Sequence, residues 1–205
     1  MQDQMSISLR LWNENIKLAE SSYSSAFVDG IKDGNLPINN FKDYIAQDAY
    51  FLEAFAKAYG MAIFKSPDTK TIKVLGNLLE GVIKELELHN SYAKTWGVNL
   101  NEYSINQATK EYIDFLLEIS NKGKMIEIIA AMTPCMRLYA WIGQTITKSC
   151  INGNNKYSQW IDIYSDNEFE ILAITLEDLI NINYEDHLLD SIRSLYSKAM
   201  KLELK

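Results

Sequence analysis

A thiol, two carboxylates and a set of tyrosines interrupt otherwise apolar helical stripes in this 205-residue sequence. Phe41, Tyr44, Asp48, Phe51, Phe55 and Tyr59 recur at steps of three, four and seven, the spacing of one helix face. Asp48 is the one acid on that aromatic stripe. A buried carboxylate needs a partner or a raised pKa, so Asp48 reads either as a core ion pair or helix cap, or as the polar anchor of a ligand. A second stripe runs through Ile128, Met132, Cys135, Tyr139, Ile142 and Ile146. Cys135 and Tyr139 are one turn apart, so a phenol neighbours a thiol and can help to move its proton. The other reading is a small apolar core cysteine. A third stripe, Ile192, Leu195, Tyr196 and Ala199, ends on the acid Glu203, close to the C-terminus, where helices fray. Tyr112, Phe115 and Ile119, and then Tyr157, Trp160, Ile161 and Tyr164, add two aromatic faces. Large aromatics mostly build core. Several tyrosines converging with a thiol and two acids would instead line a pocket for a flat, polar ring. Cys150 has no such neighbours and reads as structural.

The elements that must position these residues are helices. Apolar spacing is helical almost throughout, with no strand-type alternation, and the spacing predicts helices near 6–30, 38–64, 67–96, 106–121, 123–149, 154–164, 166–181 and 185–205. Asp33-Gly34-Asn35-Leu36-Pro37 is a turn, with glycine free to take positive φ and proline opening the next element. Ser66-Pro67-Asp68 reads as an N-cap, a first-position proline and a first-turn acid. Gly97-Val98-Asn99 and Asn121-Lys122-Gly123 read as helix stops, and Asn152-Gly153-Asn154-Asn155 as a loop. Pro134 lies inside the fifth helix and is expected to kink it. The expected fold is an all-α, single-domain helical bundle spanning 1–205.

Composition narrows the function. The net charge of -7, with a pI near 4.9, has the wrong sign for nucleic acid or an anionic membrane surface. No uninterrupted run of about 18 apolar residues is seen, so no membrane span is expected. The N-terminus lacks the basic and apolar regions of a signal peptide. Two cysteines make no disulfide framework, which points to a reducing, cytoplasmic setting. There is no phosphate loop, zinc-type cysteine spacing or nucleophile elbow. Glu85 and His89, one turn apart with Glu87 nearby, resemble part of a carboxylate-bridged metal site, but the paired Glu-x-x-His motifs are lacking, and a solvated acidic face is the alternative. No metal and no haem are expected, since no histidine precedes His89.

Five fragments together resemble the TenA/thiaminase II family. Phe41-Lys42-Asp43-Tyr44-Ile45-Ala46-Gln47-Asp48-Ala49-Tyr50-Phe51-Leu52 resembles its F-x-x-Y-x-x-Q-D-x-x-Y/F-L helix. Ala130-Ala131-Met132-Thr133-Pro134-Cys135-Met136-Arg137-Leu138-Tyr139 resembles its A-x-x-P-C-x-x-x-Y helix. The turn at Asp33-Gly34, the segment Ala108-Thr109-Lys110-Glu111-Tyr112, and Trp160-Ile161-Asp162-Ile163-Tyr164 match in the same order. The resemblance, over roughly residues 7–205, implies a haem-oxygenase-like fold without haem, metal or other cofactor, assembled as a homotetramer. It implies hydrolysis of aminopyrimidines, 4-amino-5-aminomethyl-2-methylpyrimidine or thiamin, to the hydroxymethylpyrimidine for thiamin salvage. It implies that Cys135 is the nucleophile, marking the branch that carries this cysteine, and that Glu203 is the acid/base. Asp48 would pair with the aminopyrimidine edge and Phe51 would stack on the ring. Tyr44, Tyr112, Tyr139 and Tyr164 would surround substrate and thiol. Family members continue past the glutamate with two aromatics, whereas this sequence ends at Lys205. Competing readings are a metal- or cofactor-dependent oxidative enzyme on the same bundle and a non-catalytic pyrimidine-binding or regulatory protein.

Overall fold

In the computed structural model, residues 5–149 and 155–205 are described, apart from the side chains at 88–92 and 101. Cys150, residues 152–154 and the side chain of His89, with the reading that pairs it with Glu85, lie outside the described residues. Among the described residues every regular element is helical: α1 Ile7–Glu14, α2 Ile16–Tyr23, α3 Ala26–Lys32, α4 Ile38–Phe64, α5 Thr69–Thr95, α6 Gln107–Lys122, α7 Met125–Lys148, α8 Ser158–Ser165, α9 Asn167–Asn183 and α10 Leu189–Glu203, with short 3-10 turns at Leu100–Glu102 and Asp186–Leu188.

The chain forms two compact units. One is the chain up to Leu36 with Ile129–Lys205; the other is Pro37–Ile128. In the first, α1 packs on α9 and α10, α2 on α10 and α3, and α8 on α9. Ser8 and Asn181 exchange two hydrogen bonds of 3.0 Å between α1 and α9. In the second, α4 packs against both α5 and α6. The carbonyl end of α6 is closed by Lys65, whose Nζ donates to the backbone oxygens of Ser120, Asn121 and Gly123 at 2.7–2.9 Å.

Two expectations are corrected. The helix expected over 6–30 is α1, α2 and α3. Asn15 breaks it by donating its side-chain Nδ2 to the Leu11 carbonyl at 2.8 Å, and Ser25 starts a new helix by accepting from Val28 N. Short polar side chains compete with the helical ladder in this way. The cap of α5 is Asp68, which accepts from Thr71 N at 2.8 Å, while Ser66 turns back to the Ala62 carbonyl and closes α4. Helix α7 is long and apolar enough, by composition alone, to cross a membrane. Because 72% of its most apolar window is buried inside the protein, it is a core helix. It is continuous through Pro134. The expected stops hold. Gly97 has φ +65, and Val98 N returns to the Ala93 carbonyl at 2.7 Å, the hydrogen bond of a glycine-closed helix end. Gly34 has φ +69, and the Asn155 amide donates to the carbonyls of Ile31 and Lys32 beside it.

Candidate active site

The site residues read from the sequence divide between the two units, and each set has its own geometry. In the unit of α4, α5 and α6, the aromatic stripe is sealed at both ends. Phe41, Phe55 and Tyr59 are buried, while Tyr44, Asp48 and Phe51 keep partial exposure. Tyr44 lies on Phe41 at 5.9 Å between centroids. Phe51 meets Tyr112 of α6 at 4.8 Å, with Phe55 behind it at 5.4 Å. Phe51 and Tyr112 therefore make an aromatic corner with Phe51 still open. Asp48 precedes that corner by one turn. Its Oδ2 is shielded from solvent although the residue as a whole is only half-buried. Burial pushes its carboxyl up to about 7 from 3.8, because removing a charge from water disfavours the ionised form.

The other set lies on α7, α8 and α10. Along the stripe of α7, Met132, Ile142 and Ile146 are buried, and exposure is kept at Cys135 and Tyr139. Cys135 is in the thiol form, with no disulfide among the described residues. Tyr139 packs at a tilt against Tyr164 of α8, with 4.7 Å between ring centroids, and against Trp160 at 6.0 Å. Tyr164 is held in turn by Trp160 at 4.7 Å and Phe169 at 4.9 Å. Glu203 is half-buried in the last residue of α10, within the helix and not frayed from it.

Two supports of the second set have no counterpart in the sequence reading. A Cβ on Gly143, one turn beyond Tyr139, would fall 2.6 Å from Ser165 N and from Tyr164 O, so only glycine lets the end of α8 sit on α7 here. Arg137, between Cys135 and Tyr139, forks onto Glu177 with bonds of 2.7 and 2.8 Å and donates Nη1 to both oxygens of Glu170 at 2.8 Å. Gln144 adds a bond to Glu170 at 2.7 Å. Burial works to lower the guanidinium pKa. The bonds to Glu177 and then Glu170 outweigh it, and the pKa is raised. The cluster is shielded, with 13% of the Arg137 side chain exposed. Glu170 and Glu177 are two turns apart on α9, a same-face acid pair whose spacing is visible in the sequence. Nearby, Tyr196 is fully buried, and its hydroxyl has no hydrogen-bond partner among the described residues. Burial, reinforced by Glu177, raises its pKa.

Helices of this order and packing define an all-α protein of the haem-oxygenase-like class. A TenA homologue from Pyrococcus furiosus superposes with a TM-score of 0.89 at 20% identity, covering 97% of this chain and 96% of that one. The haem-bound heme oxygenase-1 of Synechocystis superposes at 0.63 and 14% identity, covering 98% and 90%. The chain belongs to the TENA/THI-4/PQQC family, whose profile matches residues 14–205. It is 34% identical to the mitochondrial bifunctional TH2 protein of Arabidopsis thaliana over 95% of this chain, but spans 36% of that protein's length. It is 28% identical to the aminopyrimidine aminohydrolase of Halalkalibacterium halodurans, over 86% of this chain and 81% of the relative.

Proposed function

We propose that this protein is an aminopyrimidine aminohydrolase of thiamin salvage, acting by covalent catalysis from Cys135. Three things support the reading. The family carries relatives of that name. The P-C and Q-D motifs stand at Pro134-Cys135 and Gln47-Asp48. The observation that carries it is the break in the α7 stripe, where the Cys135 thiol and Tyr139 keep exposure on an otherwise buried face.

In this reading Asp48 pairs with the amidine edge of the pyrimidine, the ring nitrogen and its exocyclic amine. A carboxyl that keeps its proton up to about pH 7 presents one donor and one acceptor, which complements a neutral aminopyrimidine, and the shared proton makes the ring electrophilic. Phe51 stacks on the ring, with Tyr44 and Tyr112 beside it. The Cys135 thiolate adds to the ring carbon next to the arm, forming the C–S bond while the ring electrons move to the protonated nitrogen. Those electrons return to expel the amine from the CH₂ arm, Glu203 supplies its proton, and an exocyclic methylene remains. Water adds to that methylene and gives up a proton. Breaking the C–S bond then restores the aromatic ring and the thiolate. The net change is exchange of the arm's NH₂ for OH, with release of ammonia. Tyr139 and Tyr164 flank the thiol. A homotetrameric, cytoplasmic protein without a cofactor completes the proposal.

The test is incubation with 4-amino-5-aminomethyl-2-methylpyrimidine and with thiamin separately, following hydroxymethylpyrimidine. Release by the wild type, and a fall of at least about a thousandfold in Cys135→Ala with binding kept, is expected. No release from either compound, or turnover by Cys135→Ala close to wild type, would refute the reading.

A further inference from the structure

Gln47 and Tyr50 precede and follow Asp48 and carry no role in the chemistry above. Both reach the stretch before α6. Gln47 Nε2 donates to the Ser104 carbonyl at 3.0 Å, and its Oε1 accepts from Asn106 N at 2.9 Å. The carboxamide thus spans the chain at 104–106 with a matched donor and acceptor. The Tyr50 hydroxyl donates to the Tyr103 carbonyl at 2.7 Å. Ser104, Ile105 and Asn106 are exposed, so apolar burial does little to fix them, and side-chain bonds to backbone take that place. The contact matters because Asn106 is the N-cap of α6, accepting from Thr109 N at 2.8 Å. Tyr112 follows less than two turns beyond that cap. Phe51 lies one turn beyond Gln47 on α4, and its ring meets Tyr112. With Lys65 holding the far end of α6, α6 is tied to α4 at both ends, and the near tie sets the corner.

We propose that Gln47 and Tyr50 are positioning residues. By pinning residues 103–106 they fix the start of α6 and hold Tyr112 against Phe51, and so shape the aromatic corner on which a pyrimidine ring stacks. The role rests on the functional reading above for its ligand, but not for its mechanics. An alanine at 47 leaves the Asn106 N–H and the Ser104 carbonyl to water and frees the cap of α6.

Gln47→Ala, Tyr50→Phe and the double variant test this by amide hydrogen exchange without ligand and by calorimetric titration with hydroxymethylpyrimidine. Exchange at 106–112 should rise in Gln47→Ala while that of α9 stays at the wild-type rate. The Kd should rise about 5- to 20-fold, the loss expected of two exposed hydrogen bonds that position the corner, with Tyr50→Phe smaller and the double variant larger. In turnover the change should fall on KM, with kcat within about threefold and the alkylation rate of Cys135 unchanged. Unchanged exchange at 106–112, or an unchanged Kd, would overturn the inference and leave the functional reading standing. A wild type that binds no pyrimidine would overturn the reading itself, and this role with it.

Discussion

Replacing Gly143 by alanine asks whether the close seat of α8 on α7 holds Tyr164 in place. The added Cβ would lie 2.6 Å from Tyr164 O and from Ser165 N, roughly 0.8 Å inside ordinary contact. Both neighbours are backbone, so no rotamer change relieves the clash, and the end of α8 must move. Overpacking of this kind costs about 1–3 kcal/mol. Alanine recovers about 1 kcal/mol of helix propensity, which leaves a net loss of up to about 2 kcal/mol. For a chain of this size that is a fall in Tm of up to about 8 °C. Gly81 of α5 is the internal control, since nothing lies within 4 Å of a Cβ built there. Gly81→Ala should raise stability by about 0.5–1 kcal/mol. Because the shift is transmitted to Tyr164, and through it to the 4.7 Å ring contact with Tyr139, kcat/KM should fall about 10- to 100-fold in Gly143→Ala and stay at the wild-type value in Gly81→Ala. Scanning calorimetry and steady-state hydrolysis read the two effects. A Gly143→Ala protein as stable and as active as Gly81→Ala would refute the packing argument.

Three further outcomes follow from the buried polar groups. Arg137→Met leaves Glu170 and Glu177 shielded without their cation, and should destabilise by about 3–5 kcal/mol in denaturant titration; a loss below about 1 kcal/mol would mean that the cluster contributes little. Tyr196→Phe removes a buried hydroxyl and should leave Tm unchanged or raise stability by up to about 1 kcal/mol, whereas a clear loss would expose a partner for that hydroxyl. Asp48 is held protonated up to about pH 7 in the folded protein, against 3.8 without burial. The stability this contributes is full below pH 4 and is lost as pH rises through 7. Asp48→Asn should therefore flatten the fall in stability between pH 4 and 7, and an unchanged pH profile would contradict the raised pKa.

The sequence exposed the long helices because α4, α5, α6 and α7 each carry a sustained apolar period, and because Gly97 and Pro37 sit where a helix must stop or start. It misjudged the first 30 residues, where apolar spacing runs on across Asn15 and Ser25 but the side chains of those residues take over the backbone bonds. It placed the cap of α5 at Ser66, since Ser-Pro-Asp offers two capping side chains and only the approach of Thr71 N selects Asp68. The break in the α7 stripe was legible, because Cys135 and Tyr139 are polarisable groups at positions where hydrocarbon was expected. Gly143 was not, since its partner is the backbone of residues 164–165 and a glycine within a helix carries no mark of what approaches it. The bonds of Gln47 join it to residues 57 and 59 positions away, and no local pattern announces them.

We propose that Asp48 and Cys135 both act on the pyrimidine. Alkylation of Cys135 by iodoacetamide, followed by mass spectrometry with and without saturating hydroxymethylpyrimidine, measures this without turnover. The account predicts that the pyrimidine slows modification of Cys135 at least about tenfold in the wild type, and that at the same ligand concentration Asp48→Ala loses most of this protection, since leaving both polar groups of the amidine edge without a partner weakens binding by about 2–6 kcal/mol. Equal alkylation of Cys135 with and without pyrimidine, or protection undiminished in Asp48→Ala, would contradict it.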